Sequence, residues 1–176
     1  MKVEMRVLRE SPFDLEVECA PASLELEDDV FRFVGPVRGV VRFSLLPGGK
    51  VMALGRLETP VETECVRCLK PLKLTVRAPV DVLYEAREEE ARPDEIVFGT
   101  GEDGRGAIFD GEKIRPAQQL REAVMMELPG FPMCRADCRG LCPDCGADRN
   151  DGPCACDQRD AEAPAWKQSL KGLKLD

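Results

Sequence analysis

Residues 134–156 read CRADCRGLCPDCGADRNDGPCAC, and residues 65–68, far upstream, read CVRC. These two stretches contain eight of the nine cysteines, arranged as four closely spaced pairs. Four pairs of thiols are enough ligands for two tetrahedral metal sites, because a structural zinc ion takes four protein ligands. We therefore predict two zinc sites of four cysteines each, whose ligands are Cys65, Cys68, Cys134, Cys138, Cys142, Cys145, Cys154 and Cys156.

Each pair has a spacing that brings both sulfurs to one ion. The pairs at 65–68 and 142–145 are separated by two residues, as in a zinc knuckle, and Gly146 follows the second pair where the tight turn favours positive φ. The pair at 134 and 138 shares a face if it lies on a helical turn. The pair at 154 and 156 points to one side of an extended chain. Each pair is thus able to chelate.

The four pairs can be matched in three ways, and spacing alone leaves all three open. We prefer to join 142–145 with 154–156, because the intervening residues 146–153 are mostly turn formers. The pair at 65–68 then meets the pair at 134–138. Their long separation along the chain adds little free energy of loop closure, because loop-closure entropy rises slowly with loop length. Joining 134–138 with 142–145 would leave only three residues between the pairs. So short a connection makes it difficult for the chain to place four sulfurs tetrahedrally around one ion.

The same thiols could serve purposes other than metal binding. The first six residues contain no apolar run typical of a signal peptide, so a reducing cytoplasmic location is expected and a disulfide framework is not. An iron–sulfur cluster also takes four cysteines and stays an alternative. A redox-active pair is disfavoured because no βαβ pattern surrounds either CxxC, and a Cys–His catalytic pair is excluded because the chain has no histidine. We therefore expect a protein that is not an enzyme.

The composition is that of a soluble globular protein. The chain has 176 residues, a net charge of −8 and 43% hydrophobic residues, and it has no apolar segment long enough to span a membrane. The net negative charge argues against a protein that binds the phosphate backbone of nucleic acid, and it favours a protein partner. The same charge is also explained if it only keeps the protein soluble. The thiols nevertheless have basic neighbours, which either stabilise thiolates or form a small face for RNA: Arg67, Lys70, Lys73, Arg135, Arg139 and Arg149.

The pattern of the remaining chain predicts an α+β fold, with an antiparallel β-rich domain, one packed helix and a C-terminal cysteine-rich zinc-binding segment. Short alternating apolar runs up to Tyr84 predict strands, among them runs around Val3, Phe13 and Leu24. Pro116 begins the helix, whose apolar face continues to Leu128. The predicted domains are residues 1–128, 129–159 and a short terminal helix or tail at 160–176. Cys19 is expected to be a small buried hydrophobe.

The order of these motifs resembles the YceD family, the large ribosomal RNA subunit accumulation proteins of bacteria and plastids. The resemblance covers most of residues 35–175 and rests on ECVRCL at 64–69, Leu128-Pro129 before Cys134, CRGLCPDCG at 138–146, Asn150, CAC at 154–156 and the stretch from Trp166 to Leu173. It implies a role in 23S ribosomal RNA accumulation and large-subunit biogenesis in the cytoplasm. The implied partners are ribosome-assembly or ribosomal proteins. Acidic residues among the arginines argue against direct contact with ribosomal RNA: Asp137, Asp144, Asp148 and Asp151.

The resemblance also bears on the cysteines. It implies that they are metal ligands at the positions quoted, whereas the choice of zinc comes from the chemistry of the four-thiol sites. It implies no catalytic residue, no small-molecule substrate and no membrane, and it offers no RNA-binding residues to transfer. A zinc-ribbon nucleic-acid-binding protein and an iron–sulfur or redox protein are the alternative functions.

Overall fold

The computed structural model of the chain describes residues 1–86 and 106–156. The sequence also predicts a solvated loop or frayed helix in the charge run at 85–93, a short strand at 96–98 and a flexible glycine-rich loop at 99–106. Residues 87–105 of these segments lie outside the described residues, and so does the predicted terminal helix around Trp166. The chain forms two compact units. Unit 1 comprises Met1–Thr63 and Lys73–Gly130, and unit 2 comprises Glu64–Leu72 and Phe131–Asp176.

The described elements are mostly strands. They are β1 (Val3–Glu4), α1 (Met5–Glu10), β2 (Phe13–Cys19), β3 (Arg32–Phe33), β4 (Val37–Leu45), β5 (Val51–Glu64), β6 (Pro71–Ala86), β7 (Gly106–Phe109), β8 (Lys113–Ile114) and α2 (Ala117–Met126), with short 3₁₀ turns at Pro21–Leu24 and Pro47–Gly49. The larger sheet has the order β2-β4-β5-β6-β7, and β3 also pairs with β5. Strands β2, β3 and β4 make antiparallel pairs, whereas β6 and β7 run parallel.

Burial follows the alternation expected of a sheet with one covered face. Along β4, Val37, Val41 and Phe43 are fully buried, while the intervening arginines are exposed. Helix α2 buries Leu120 and Val124, which belong to the same core as the β4 residues. The predicted α+β class, the antiparallel β-rich architecture and the packed helix after Pro116 are therefore confirmed.

The opposite face of the sheet is covered by ion pairs. Arg42 of β4 makes two hydrogen bonds of 2.7 Å to Asp14 of β2, and Arg38 of β4 donates to Glu18 of β2. Arg77 of β6 pairs with Glu58 of β5. Cross-strand pairs of this kind stabilise a sheet modestly, by roughly 0.2–1 kcal/mol each. They also neutralise Arg38, Arg42 and Arg77 of this face.

The N-terminal region differs from the predicted run of strands. The alternating residues Val3, Met5 and Val7 do not form one strand, because helix α1 begins at Met5 and buries Met5 and Leu8 at a spacing of three. Leu24 lies at the end of a 3₁₀ turn and not in a strand. Alternation over so few residues does not separate a strand from a single helical turn, and contact with the core decides between them.

Two smaller expectations also need correction. The alternating residues up to Val76 and those from Val80 onward predict two strands separated at Pro79, but strand β6 continues through Pro79. Cys19 is half-buried, not buried, although it packs against the core and burial raises the pKa of its thiol. Its packing against the core agrees with its predicted role as a hydrophobe, but the predicted full burial is wrong.

Gly39 and Gly55 mark a close approach of β4 to β5, and we expect Gly39→Ala to destabilise unit 1. A Cβ at Gly39 would lie 2.1 Å from the carbonyl oxygen of Arg56, so the strands would have to separate. Overpacking of this kind costs roughly 1–3 kcal/mol, measurable by urea unfolding. Gly130→Ala is the matched control, because a Cβ there meets nothing within 4 Å. Equal midpoints for the two variants would contradict the close approach.

Candidate metal centres

The first pair of thiols lies in the turn that joins β5 to β6. The backbone N–H of Leu69 donates to the carbonyl of Cys65 at 2.9 Å, and the N–H of Cys65 donates to the carbonyl of Lys70 at 2.9 Å. These two bonds fold residues 65–70 into a compact knuckle. Leu69 adopts φ +57°, a left-handed conformation that bulky side chains rarely take.

The second knuckle repeats this hydrogen-bond pattern. The N–H of Gly146 donates to the carbonyl of Cys142 at 2.9 Å, and the N–H of Cys142 donates to the carbonyl of Ala147 at 2.8 Å. Gly146, which occupies the position of Leu69, has φ +72°. The need for positive φ after the CxxC pair is therefore common to both knuckles, and only the second meets it with glycine.

The first group of four thiols consists of Cys65, Cys68, Cys134 and Cys138, all in unit 2. The Sγ atoms of Cys65 and Cys138 lie 3.9 Å apart, and those of Cys68 and Cys134 lie 3.7 Å apart. A tetrahedron with zinc–sulfur bonds of about 2.3 Å has edges of about 3.8 Å. The observed separations therefore fit four thiolates around a single ion.

The second group consists of Cys142, Cys145, Cys154 and Cys156, also in unit 2. In each group the four sulfurs lie within 4.8 Å of one another. The matching preferred from loop composition and closure entropy is thus confirmed as a grouping of thiols, and Cys19 belongs to neither group. The identity of the ion that each group could bind is a separate question.

The segment that carries Cys134 and Cys138 is a turn and not a helix. The N–H of Cys138 donates to the carbonyl of Arg135 at 3.2 Å, and the N–H of Val66 donates to the carbonyl of Pro132 at 2.9 Å. The latter bond aligns this segment with the first knuckle. The spacing of four residues therefore brings the two thiols together through a tight turn.

Three thiols are arranged to ionise easily. Backbone hydrogen bonding from Cys134 lowers the pKa of Cys65 to about 6. Backbone hydrogen bonding from Cys145 and Asp144 lowers the pKa of Cys142 to about 7. Burial opposes ionisation of Cys138, but hydrogen bonds from Asn150 and Gly140 outweigh it and lower its pKa. Such thiols bind metal readily, because the thiolate is the ligand.

Cys134 has the opposite tendency. Although the residue is exposed, desolvation of its sulfur beside the other thiols, together with hydrogen bonding to them, raises its pKa to about 12. Four thiolates in one place repel each other, so the group does not fully ionise without a cation among its members. The donor set therefore suits a divalent ion, which removes this repulsion.

Asn150 is a supporting residue that the thiol spacing did not reveal. Its side-chain nitrogen donates to Sγ of Cys138 at 3.4 Å, and its side-chain oxygen accepts from the N–H of Arg139 at 2.8 Å. Its oxygen also accepts from Arg135 at 2.7 Å. Asn150 thus orients a ligand sulfur and holds the surrounding loop, in the manner of outer groups at metal sites. Its place in the family pattern was the only signal in the sequence.

The basic residues near the thiols are largely engaged within their own units. Arg67 donates to the carbonyl of Cys138 at 2.8 Å. Lys70 pairs with Asp148 at 2.7 Å and lies 3.7 Å from Asp151, and hydrogen bonding from Lys70 lowers the pKa of Asp148 to about 2. In unit 1, Lys73 pairs with Glu62 at 3.2 Å. These contacts favour a structural role for the basic side chains near the thiols.

We expect Gly140→Ala to weaken unit 2 more than Gly146→Ala does. Both glycines have nearly the same positive φ, +73° and +72°, so both variants incur a similar backbone cost of roughly 1–2 kcal/mol. Only at Gly140 would a Cβ come within 2.8 Å of the carbonyl oxygen of Arg67. Hydrogen exchange of unit 2 should show an additional loss of roughly 1–3 kcal/mol for Gly140→Ala. Equal losses would show that this approach is looser than the structure indicates.

Neither helix in the described part of the chain has the length and hydropathy of a membrane-spanning helix.

Comparison with known proteins gives relatives in bacteria and plants. Uncharacterized proteins of Mycobacterium tuberculosis and Mycobacterium bovis are 38% identical over 97 residues, which is 54% of this chain and 44% of each relative. A maize protein named large ribosomal RNA subunit accumulation protein YCED homolog 1, chloroplastic, is 24% identical over 147 residues, 71% of this chain and 49% of the relative. The chain thus spans about half the length of the curated relatives it matches. No solved structure matches it.

The family comparison covers most of the chain and both thiol groups. The family described as large ribosomal RNA subunit accumulation protein YceD matches residues 54–174, a range that contains all eight grouped cysteines and Asn150. The resemblance inferred from the order of the motifs is thereby confirmed, and the chain belongs to the YceD family.

Proposed function

We propose that this protein is a non-enzymatic factor for the accumulation of 23S ribosomal RNA and the biogenesis of the large ribosomal subunit, stabilised by two structural zinc ions. The observation that carries the proposal is the pair of four-thiol groups in unit 2. The ribosomal process is supported by the description of the family and by the name of the maize relative. The protein would act in the cytoplasm, with ribosome-assembly or ribosomal proteins as partners.

The donor sets support a structural role for the metal. Each group offers four thiolates, so a tetrahedral zinc ion bound there has no open position for water or substrate. When bound, the ion supplies a cross-link between distant parts of the chain and no reaction chemistry. The first group would link the 65–68 knuckle to the 134–138 turn, and the second would link the 142–145 knuckle to residues 154–156.

Sulfur spacing favours single ions over iron–sulfur clusters. A cluster has to fit several iron and sulfide atoms among its cysteine ligands, whereas the four sulfurs of each group lie within 4.8 Å of one another. Metal analysis of the purified protein should find about two equivalents of zinc per chain, on four thiolates per ion. A coloured sample that contains iron and inorganic sulfide would support the alternative.

The alternative of direct RNA binding has less support. Arg67, Lys70 and Arg135 are held by groups of unit 2 itself. On the sheet face, Arg38, Arg42 and Arg77 pair with carboxylates. Protein–RNA affinity that rests on phosphate contacts falls steeply with salt. Binding of the purified protein to 23S ribosomal RNA fragments with a steep salt dependence would support the alternative, and its absence would remove it.

The proposed cellular role is tested by depletion. Cells depleted of the protein should accumulate less 23S than 16S ribosomal RNA and fewer large subunits on sucrose gradients. Cys138→Ser should fail to restore the ratio, and Cys19→Ser, which removes the thiol outside both groups, should restore it. An unchanged ratio on depletion would refute the function and leave the metal sites to be judged by metal analysis.

We expect metal release from the two groups in two phases, with the second group losing its ion first. In the first group three of four thiols, those of Cys65, Cys68 and Cys138, are buried and pack against Leu72 and Leu141, while Cys134 is exposed. In the second group only two of four thiols, Cys142 and Cys156, are buried. A chelator reaches exposed ligands faster, so release should differ by roughly tenfold or more in rate, an order-of-magnitude expectation from the exposure dependence of thiol chemistry.

The order of release is read by mass spectrometry of thiols alkylated during chelation. Cys145 and Cys154 should be modified in the fast phase, and Cys65 and Cys138 in the slow phase. Release in one phase, or alkylation of Cys65 before Cys145, would contradict the expectation.

A further inference from the structure

Four apolar side chains of unit 2 are exposed beside the first knuckle. Val66, Leu69, Phe131 and Met133 are 46%, 57%, 81% and 39% exposed. The hydrogen bond from the N–H of Val66 to the carbonyl of Pro132 places the segment that carries Phe131 and Met133 alongside the knuckle. We call Val66, Leu69, Phe131 and Met133 the apolar tip.

The fold does not need a leucine at position 69. Gly146 makes the corresponding turn in the second knuckle with the same two backbone hydrogen bonds and a similar positive φ. Leu69 therefore adopts an unfavourable backbone conformation while exposing more than half of its side chain, so it contributes neither turn geometry nor core packing. A strained, exposed apolar residue is a candidate for contact with a partner.

The charge of unit 2 indicates what kind of partner fits the tip. Among its described residues, five cationic and five anionic side chains balance: Arg67, Lys70, Arg135, Arg139 and Arg149 against Glu64, Asp137, Asp144, Asp148 and Asp151. Four thiolates around one zinc ion leave an excess of about two negative charges per site. Unit 2 with both sites filled is therefore anionic, which disfavours a polyanion and favours a basic surface.

We propose that the apolar tip docks a basic protein that receives Leu69 and Phe131 in an apolar pocket rimmed by lysine or arginine. Large apolar side chains at the centre of a charged or polar rim are typical anchors of protein interfaces. The anionic charge of unit 2 rests on the proposed function, because it requires both zinc ions. The exposed apolar side chains and the strained Leu69 are observations independent of it.

The test compares two defined probes on the full-length, zinc-loaded protein. One probe is the mixture of proteins stripped from bacterial large ribosomal subunits, and the other is protein-free 23S ribosomal RNA. Leu69→Gly is the central variant because Gly146 shows that the knuckle tolerates glycine, and Phe131→Ala truncates an 81% exposed side chain. Leu69→Met keeps the apolar contact. Leu54→Thr is the matched control, because Leu54 is 51% exposed in unit 1.

The proposal requires the wild-type protein to bind basic proteins of the first probe. Leu69→Gly and Phe131→Ala should each weaken this binding roughly tenfold or more, the range of interface hot spots, while zinc content stays unchanged. Leu69→Met and Leu54→Thr should bind like the wild type. Equal binding by all variants, binding to RNA alone, or binding to neither probe would overturn the proposal.

The same variants separate this proposal from the proposed function. Normal 23S ribosomal RNA in depleted cells would refute the function, even where the tip binds a basic protein. Loss of 23S ribosomal RNA that Leu69→Gly fully restores would leave the function intact and refute a role for the tip in it.

Discussion

Cys138→Ser will reduce the zinc content from about two equivalents per chain to about one and unfold the part of unit 2 built on the first thiol group. Cys138 is 1% exposed, its sulfur lies 3.9 Å from that of Cys65, and it accepts a hydrogen bond from Asn150. A structural zinc ion contributes roughly 10–16 kcal/mol of apparent binding energy at neutral pH. That energy is comparable to the stability of a whole domain, about 5–15 kcal/mol.

Metal analysis and hydrogen exchange measure the two consequences in one sample. Backbone amides of residues 65–70 should lose protection in the variant, because the knuckle is no longer linked to the 134–138 turn. Cys19→Ser is the matched control and should keep about two equivalents, since Cys19 belongs to neither group of four thiols. A Cys138→Ser protein with undiminished zinc and protection would show that the first group is not a metal site.

Phe43→Ala will produce the largest loss of stability expected from a single change in unit 1. Phe43 on β4 is fully buried, and its ring centroid lies 6.1 Å from that of Tyr84 on β6. Truncating a buried phenylalanine leaves a cavity and costs roughly 3–5 kcal/mol. Because small domains have about 5–15 kcal/mol in total, the urea midpoint should fall sharply.

Phe131→Ala makes the same chemical change at a side chain that is 81% exposed. The free energy of unfolding should change by less than about 0.5 kcal/mol in this variant, as for ordinary surface substitutions. If both variants lost the same stability, Phe43 would not occupy the close-packed position that the structure assigns to it.

The thiol groups were predictable because metal chelation depends on local spacing. Two residues between thiols define a knuckle wherever the chain places it, and the turn-forming residues 146–153 close the second group over a short loop. Once the second group was closed, the 134–138 pair was the remaining partner for the 65–68 pair, and closing the long loop between them costs little entropy. The structure confirms this matching, while the number and identity of bound ions stay predictions.

Features that depend on a single contact were not predictable. Helix α1 forms where three alternating apolar residues indicated a strand, because Met5 and Leu8 both reach the core from a helical turn. Asn150 reaches Sγ of Cys138 across twelve residues, and the turn that makes this possible is held by Arg139 and Asp148. Neither contact leaves a periodic pattern in the sequence.

The sequence alone determined the residue types that bind, bury and turn: eight thiols in chelating pairs, apolar residues alternating along strands, and an amphipathic helix after Pro116. These follow from local geometry, which repeats at fixed spacing. Only the tertiary structure decided that Leu69 takes a strained turn with its side chain exposed, and that Arg38 and Arg42 of β4 are neutralised by carboxylates of β2. Those outcomes depend on which distant segments meet, and no local spacing encodes that meeting.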